Sequence, residues 1–113
     1  MKHAWLTLFL ITATAVLASR TQGGPVTASA RSATQLYSKN CTSCHGRDGR
    51  AKTLKAKRNH ARNLSDSEWQ ERASDERIFN TIMNGKGKMP AYGKKLSEQE
   101  IDTLVTYVRG LRK

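Results

Sequence analysis

The apolar positions fall into one continuous run and several short periodic stretches. The run spans Ala4 to Ala18 and holds Trp5, Leu6, Leu8, Phe9, Leu10, Ile11, Val16 and Leu17, behind the basic start Met1-Lys2-His3. Ser19 to Ser32 has no apolar period and contains Gly23-Gly24-Pro25 among several Ser and Thr, the pattern of a flexible leader. Ala33, Leu36, Tyr37 and Asn40 then recur at i, i+3, i+4 and i+7, which predicts a helix running into Cys41. Gly46 to Asn63 has no apolar period and reads mostly as loop. Ser65-Asp66-Ser67-Glu68 has the spacing of a capping box and predicts a short helix through Trp69 and Ala73. Ser74-Asp75-Glu76 caps the next, with Ile78, Phe79, Ile82 and Met83 on one face and Asn84-Gly85 as its end. A second capping box, Ser97-Glu98-Gln99-Glu100, opens the clearest helix, striped by Ile101, Leu104, Val105, Val108 and Leu111 with Tyr107 at the edge. No segment alternates as a strand does, so the expected fold is all-α with about four short helices.

The N-terminal run is shorter than the ~20 apolar residues that span a bilayer and is broken by Thr7, Thr12 and Thr14. Its basic start and the small residues Val16 and Ala18 match a secretory signal peptide over 1–18, cleaved after or near Ala18. The alternative is a retained membrane anchor. Ala28-Ser29-Ala30 also resembles a cleavage site but lies too far beyond the run, and no cysteine follows to carry a lipid. The expected organisation is a signal peptide 1–18, a leader 19–32 and one domain over 33–113, in a periplasmic or otherwise exported protein, soluble after cleavage.

Of 113 residues only 37% are apolar, and the expected domain is small, so its core needs help from a metal, a cofactor or disulfides. The formal net charge of +11 implies attraction to acidic surfaces. An exported protein rarely meets nucleic acid, so an acidic docking site on a redox partner or an anionic membrane face fits better.

The two cysteines lie in Cys41-Thr42-Ser43-Cys44-His45. A disulfide here would close a very small loop and constrain little of the unfolded chain. Thioredoxin-like use of Cys-x-x-Cys needs a strand–helix–strand context that is missing, and zinc needs two further ligands at suitable spacing. His60, the other histidine of the expected domain, falls in a loop without a partner. Covalent haem attachment explains the motif best: two thiols add to two vinyl groups, and the adjacent imidazole reaches the iron. One motif implies one haem c per chain.

Cys41 to Gly46 preceded by Leu36-Tyr37, then Lys88-Met89-Pro90-Ala91-Tyr92, then Leu96-Ser97 and Ile101 to Leu111, resemble in order and spacing the class I cytochrome c family, and within it the short bacterial single-haem members. The resemblance covers most of Ala33 to Leu111 and implies short helices wrapped around one covalent haem. It implies His45 and Met89 as axial iron ligands, a pairing that raises the haem potential. Met83 shares an apolar face with Phe79 and Ile82 and reads as core; Met89 lies between Gly87 and Pro90, in a loop. The family crosses its first and last helices through a small residue and an aromatic, which match Ala33 and Tyr107. Relatives usually have a proline after the motif whose carbonyl accepts from the ligand histidine; no proline lies between His45 and Met89 here. A carbonyl near Asn63-Leu64 is expected instead. Trp69 either donates its indole N–H to a haem propionate or simply covers the haem edge.

Arg47, Arg50, Lys52, Lys55, Lys57, Arg58 and Arg62 crowd one loop against Asp48 alone, and Lys86, Lys88, Lys94 and Lys95 surround Met89. The first group is either a solvated loop or a steering patch; the second is the expected contact for a partner. The sequence thus points to a monomeric one-electron carrier, not an enzyme, serving acidic redox proteins such as membrane oxidase or reductase complexes. Its rivals are a haem peroxidase or small-ligand sensor, if Met89 is labile, and a zinc-containing basic binding module.

Overall fold

The structure, a computed structural model, describes residues 31–113, so the expected signal peptide and most of the leader lie outside the described residues. Six helices follow in order: α1 (Ala33–Asn40), α2 (Thr42–His45), α3 (Leu54–Asn59), α4 (Ser67–Arg72), α5 (Asp75–Asn84) and α6 (Glu98–Arg109). The described residues contain no strand, and the all-α expectation holds. The count of about four rises to six because α2 is the Cys41–His45 turn itself and α3 lies in the stretch read as loop. Thr53 caps α3 by accepting from the Ala56 N–H, and Ala56 is its one buried residue, so the helix carries no apolar stripe.

Two capping boxes hold long-range positions. Ser97 and Glu100 form the one expected at the start of α6. Ser32 and Gln35 form another at α1, and Arg31 grips the Glu100 carboxylate with two hydrogen bonds of 2.8 and 3.1 Å, so the last two leader positions are engaged. The box expected at Ser65 is not formed. Asp66 caps α4 through the Trp69 N–H, while buried Ser65 donates its hydroxyl to Asn63 Oδ1 at 2.8 Å.

The core joins the first and last helices. Leu36, Tyr37, Ile101 and Leu104 are fully buried, each apolar side chain contributing about 1.5–3 kcal/mol. The Tyr107 ring lies on Tyr37, centroids 4.6 Å apart and tilted by 31°, while Ala33 is half-buried. Behind this crossing, the buried Gln70 amide donates to the carbonyls of Leu64 (2.8 Å) and Val108 (2.7 Å). Arg109 donates to the Gln70 carbonyl (2.6 Å) and to Asp75 (2.6 Å), fastening α4 and the start of α5 to α6. This leaves α4, α5 and the Met89 loop lining one space together with the Cys41–His45 turn.

Candidate functional site

Cys41 ends α1, its N–H donating to the Tyr37 carbonyl at 2.9 Å, and the chain makes one more turn in which the His45 N–H returns to the Cys41 carbonyl at 2.9 Å. The Tyr37 hydroxyl donates to the Gly46 carbonyl at 2.9 Å, and the Thr53 hydroxyl reaches the carbonyls of Ser43 and Cys44 at 3.1 and 3.2 Å. The motif is therefore clamped from α1 on one side and from α3 on the other. Before haem attachment, burial, reinforced by Cys44, pushes the Cys41 thiol up to about 11.

His45 Nδ1 lies 2.9 Å from the Arg62 carbonyl. A carbonyl can only accept, so Nδ1 carries the proton and Nε2 is left with its lone pair for a metal. Burial lowers the His45 pKa, opposed by the hydrogen bond to Arg62, and keeps the ring in the neutral form that binds metal. The acceptor is thus Arg62, one residue before the expected Asn63-Leu64 pair. Leu64 is engaged elsewhere: its N–H donates to the Gly49 carbonyl at 2.7 Å, which anchors the segment that presents Arg62.

Beside the motif lies a cavity of about 320 Å³, within the ordinary range for a ligand site. Tyr37, Cys41 and His45 line it. Leu64, Trp69, Ala73, Ile78, Ile82, Leu104 and Val108 make its apolar wall; Met89 also lines it, and Arg62, Arg72, Arg77 and Lys86 bring positive charge to it. Met83 packs against the core, Cys44 contributes to the turn, and exposed His60 caps α3 with φ 53°.

The Met89 loop is closed by a short pair of backbone bonds, Lys86 N–H to the Met89 carbonyl (3.1 Å) and Met89 N–H to the Lys86 carbonyl (2.9 Å). Gly85 makes the loop possible. Its φ of 73° disfavours other residues, and a Cβ there would meet the Met89 carbonyl oxygen at 2.6 Å. Tyr92, which sequence reasoning did not assign a role, ties the loop to α1 by donating its hydroxyl to the Asn40 carbonyl at 2.8 Å. Burial, with the two cysteines adding to it, raises the Tyr92 phenol pKa and keeps that donor protonated. An aromatic with a polar tip beside the Met89 loop was the available signal for it, and a threonine at a helix start the signal for Thr53.

The donor set tests which group suits this space. A neutral imidazole and a thioether share an apolar cavity with a cysteine on its wall, which fits haem iron. Among the described residues no group of three or more His, Cys, Asp or Glu could hold a metal ion. Residues 28–108 match the family model described as cytochrome c oxidase, cbb3-type, subunit III. The chain belongs to the class I cytochrome c family. The KustC0563 c-type cytochrome superposes with a TM-score of 0.69 at 38% identity, covering 74% of this chain and all of that one. A cytochrome c6 of Gracilaria tenuistipitata is 36% identical over 78 residues, covering 66% of this chain and 65% of the relative. The FixP subunit of a cbb3-type oxidase from Azorhizobium caulinodans is 34% identical over 86 residues, 75% of this chain but 28% of the subunit. The chain therefore spans under a third of that subunit and just under two thirds of that cytochrome c6. As in its relatives, the cofactor is covalently bound haem c.

Proposed function

We propose that this cytochrome is a one-electron carrier in which Cys41 and Cys44 bond the haem and His45 and Met89 ligate its iron. One observation carries the reading: His45 and Met89 line the same apolar cavity, and His45 has its Nδ1 hydrogen committed to the Arg62 carbonyl. Each thiol adds across one vinyl group, sulfur to one carbon and hydrogen to the other, so attachment leaves no by-product. Bound haem supplies an iron that takes up and releases one electron. The protein's part is to keep both ligands in place in both oxidation states, which the Arg62 carbonyl does for His45 and the Lys86 and Tyr92 bonds, with the space left at Gly85, do for Met89. The apolar wall excludes water and favours the less charged ferrous form. Trp69 and the cations around the cavity, Arg62, Arg72, Arg77 and Lys86, are the groups available to the haem propionates.

No bond-making chemistry is required of such a carrier, and the histidine that a peroxidase would use as a distal base, His60, is exposed at the end of α3. The apolar run at Ala4–Ala18 supports export to the periplasm, and no described helix is long and apolar enough to cross a membrane. The net charge of +11 supports acidic redox partners, and the FixP relative is by name an oxidase subunit. Potentiometric titration of the holoprotein tests the assignment. The reading requires a single one-electron Nernst step, with the near-infrared thioether-to-iron band of the ferric protein lost in Met89→Ala. A band that survives that substitution removes Met89 as ligand.

A further inference from the structure

The last turn of α5 is held from outside by the chain that follows Met89. The Tyr92 N–H donates to the Ile82 carbonyl and the Gly93 N–H to the Met83 carbonyl, each at 3.0 Å. These are carbonyls at a helix end, which have no partner inside the helix. Gly85 comes next. Its N–H donates to the Thr81 carbonyl at 2.9 Å, and the space a Cβ would need is taken by the Met89 carbonyl oxygen. Asn84 is exposed, ends the helix and stands directly before Gly85. An asparagine followed by glycine is the pair most open to ring closure, because no side chain shields the following backbone nitrogen. Asn40 and Asn63 have their side chains in hydrogen bonds. Asn59 and Asn80 precede His60 and Thr81, whose side chains crowd that nitrogen. Asn84 therefore stands apart from the other asparagines of the described residues.

We propose that Asn84–Gly85 is a site of spontaneous succinimide formation, gated by the Met89 loop, and that its product keeps the loop from closing again. The Gly85 nitrogen attacks Asn84 Cγ. The new N–Cγ bond replaces the Cγ–Nδ2 bond, and ammonia leaves carrying the Gly85 amide proton. Water then opens the ring at either carbonyl and leaves aspartate or isoaspartate. The balance is asparagine and water to acid and ammonia, with nothing oxidised or reduced. While the loop is closed, the nitrogen is committed to Thr81 and the helix end is clamped by Tyr92 and Gly93, so attack is held back. When the loop swings away, the unclamped turn frays and the nitrogen is released. Isoaspartate runs the chain through Cγ and adds one backbone carbon before Gly85, where even a Cβ would meet the Met89 carbonyl oxygen at 2.6 Å. Both products also put a carboxylate at a helix C-terminus, which the helix dipole opposes. The modification is thus a one-way record of loop opening. The site rests on this geometry alone; its effect on the iron rests on the reading of Met89 as ligand.

The test incubates the ferric holoprotein in warm, mildly alkaline water labelled with heavy oxygen, with and without saturating imidazole, which takes the iron position of Met89. Trypsin cuts after Arg77 and Lys86, so Asn80 and Asn84 fall in one peptide, 78–86, and mass spectrometry reads the label at each. Asn80, also exposed, is the internal control. The proposal expects label at Asn84 and not at Asn80, entering about tenfold faster or more once imidazole has released the loop. The free peptide 78–86, which has no loop, is expected to react fast at Asn84 whether imidazole is present or not. After imidazole is removed, the modified fraction is expected to stay without its thioether-to-iron band, while Asn84→Gln recovers the band in full. Label no faster at Asn84 than at Asn80 overturns the site. Equal rates with and without imidazole, or equal acceleration in the free peptide, overturn the gate. Incomplete recovery in Asn84→Gln overturns the claim that the product holds the loop open. Whether Met89 is the ligand is decided separately, by the band of Met89→Ala, so the two failures are distinguishable.

Discussion

Replacing Gly85 by Ala puts the greatest load on the smallest change. Gly85 has φ 73° and ψ 171°, a region essentially restricted to glycine, where another residue costs about 1–3 kcal/mol. The added Cβ would also stand 2.6 Å from the Met89 carbonyl oxygen, 2.8 Å from the Ala91 nitrogen and 2.9 Å from the Pro90 carbonyl carbon. All three are backbone atoms of the loop that carries the thioether, so relief means moving the loop. Overpacking of this kind adds roughly 1–3 kcal/mol, for a total of about 2–6 kcal/mol. In a domain of this size that lowers Tm by roughly 8 °C or more. Because the displaced atoms belong to Met89, the ferric variant is also expected to bind imidazole more tightly and to lose intensity in its thioether-to-iron band. Gly87 is the control: its φ is 56°, and a Cβ there meets nothing within 4 Å. Gly87→Ala then bears the backbone cost alone, about 1–2 kcal/mol, with little change in imidazole affinity. Thermal melts and imidazole titrations of the two holoproteins decide it. Equal imidazole affinities for Gly85→Ala and wild type would refute the argument that Gly85 holds Met89 in place.

Gln70→Leu removes two buried donors and strands the Leu64 carbonyl, while the Val108 carbonyl keeps the Leu111 N–H; denaturant unfolding should show a loss of about 1–3 kcal/mol. Ser97→Ala breaks the α6 capping box and should cost about 1 kcal/mol in the same assay. The Arg31 guanidinium, then the Ser97 N–H, holds the Glu100 carboxyl below its usual pKa. A depressed folded pKa gives stability that is full above the unfolded value and lost as pH falls through the folded one. The Tm gap between wild type and Glu100→Gln should therefore be steady near neutrality and shrink in acid; a gap that grows in acid would be the wrong sign. The rate of reduction by an acidic redox protein should fall steeply with added salt, and a flat profile in stopped-flow would remove steering by the basic face.

The helices with a periodic apolar face were legible in sequence. Leu36 and Tyr37 mark α1, Ile78 and Ile82 mark α5, and Ile101, Leu104, Val105 and Val108 mark α6, each with a side-chain cap at its start. α3 was not, because burying Ala56 alone leaves no period to read. The start of α4 was off by one residue because Ser65 turns inward to Asn63 and Asp66 takes the capping role. At the site, the attachment motif rests on residue type and spacing, which a sequence displays, while the preference for Met89 over Met83 comes from the family resemblance. The acceptor for His45 is a backbone carbonyl, which no residue type announces. It falls on Arg62 because the Leu64 N–H is pinned to Gly49, a contact made only in the folded chain. The Lys88–Arg58 contact that unites the basic groups is of the same kind.

The central claim is one haem held covalently by Cys41 and Cys44 with His45 as ligand. Pyridine haemochrome analysis of the purified protein, before and after acidified-solvent extraction, tests it most directly. The account predicts one haem per chain, a spectrum typical of haem with both vinyl groups saturated, and all colour remaining with the protein. Haem that passes into the solvent, or a protein that yields no haemochrome, would contradict it.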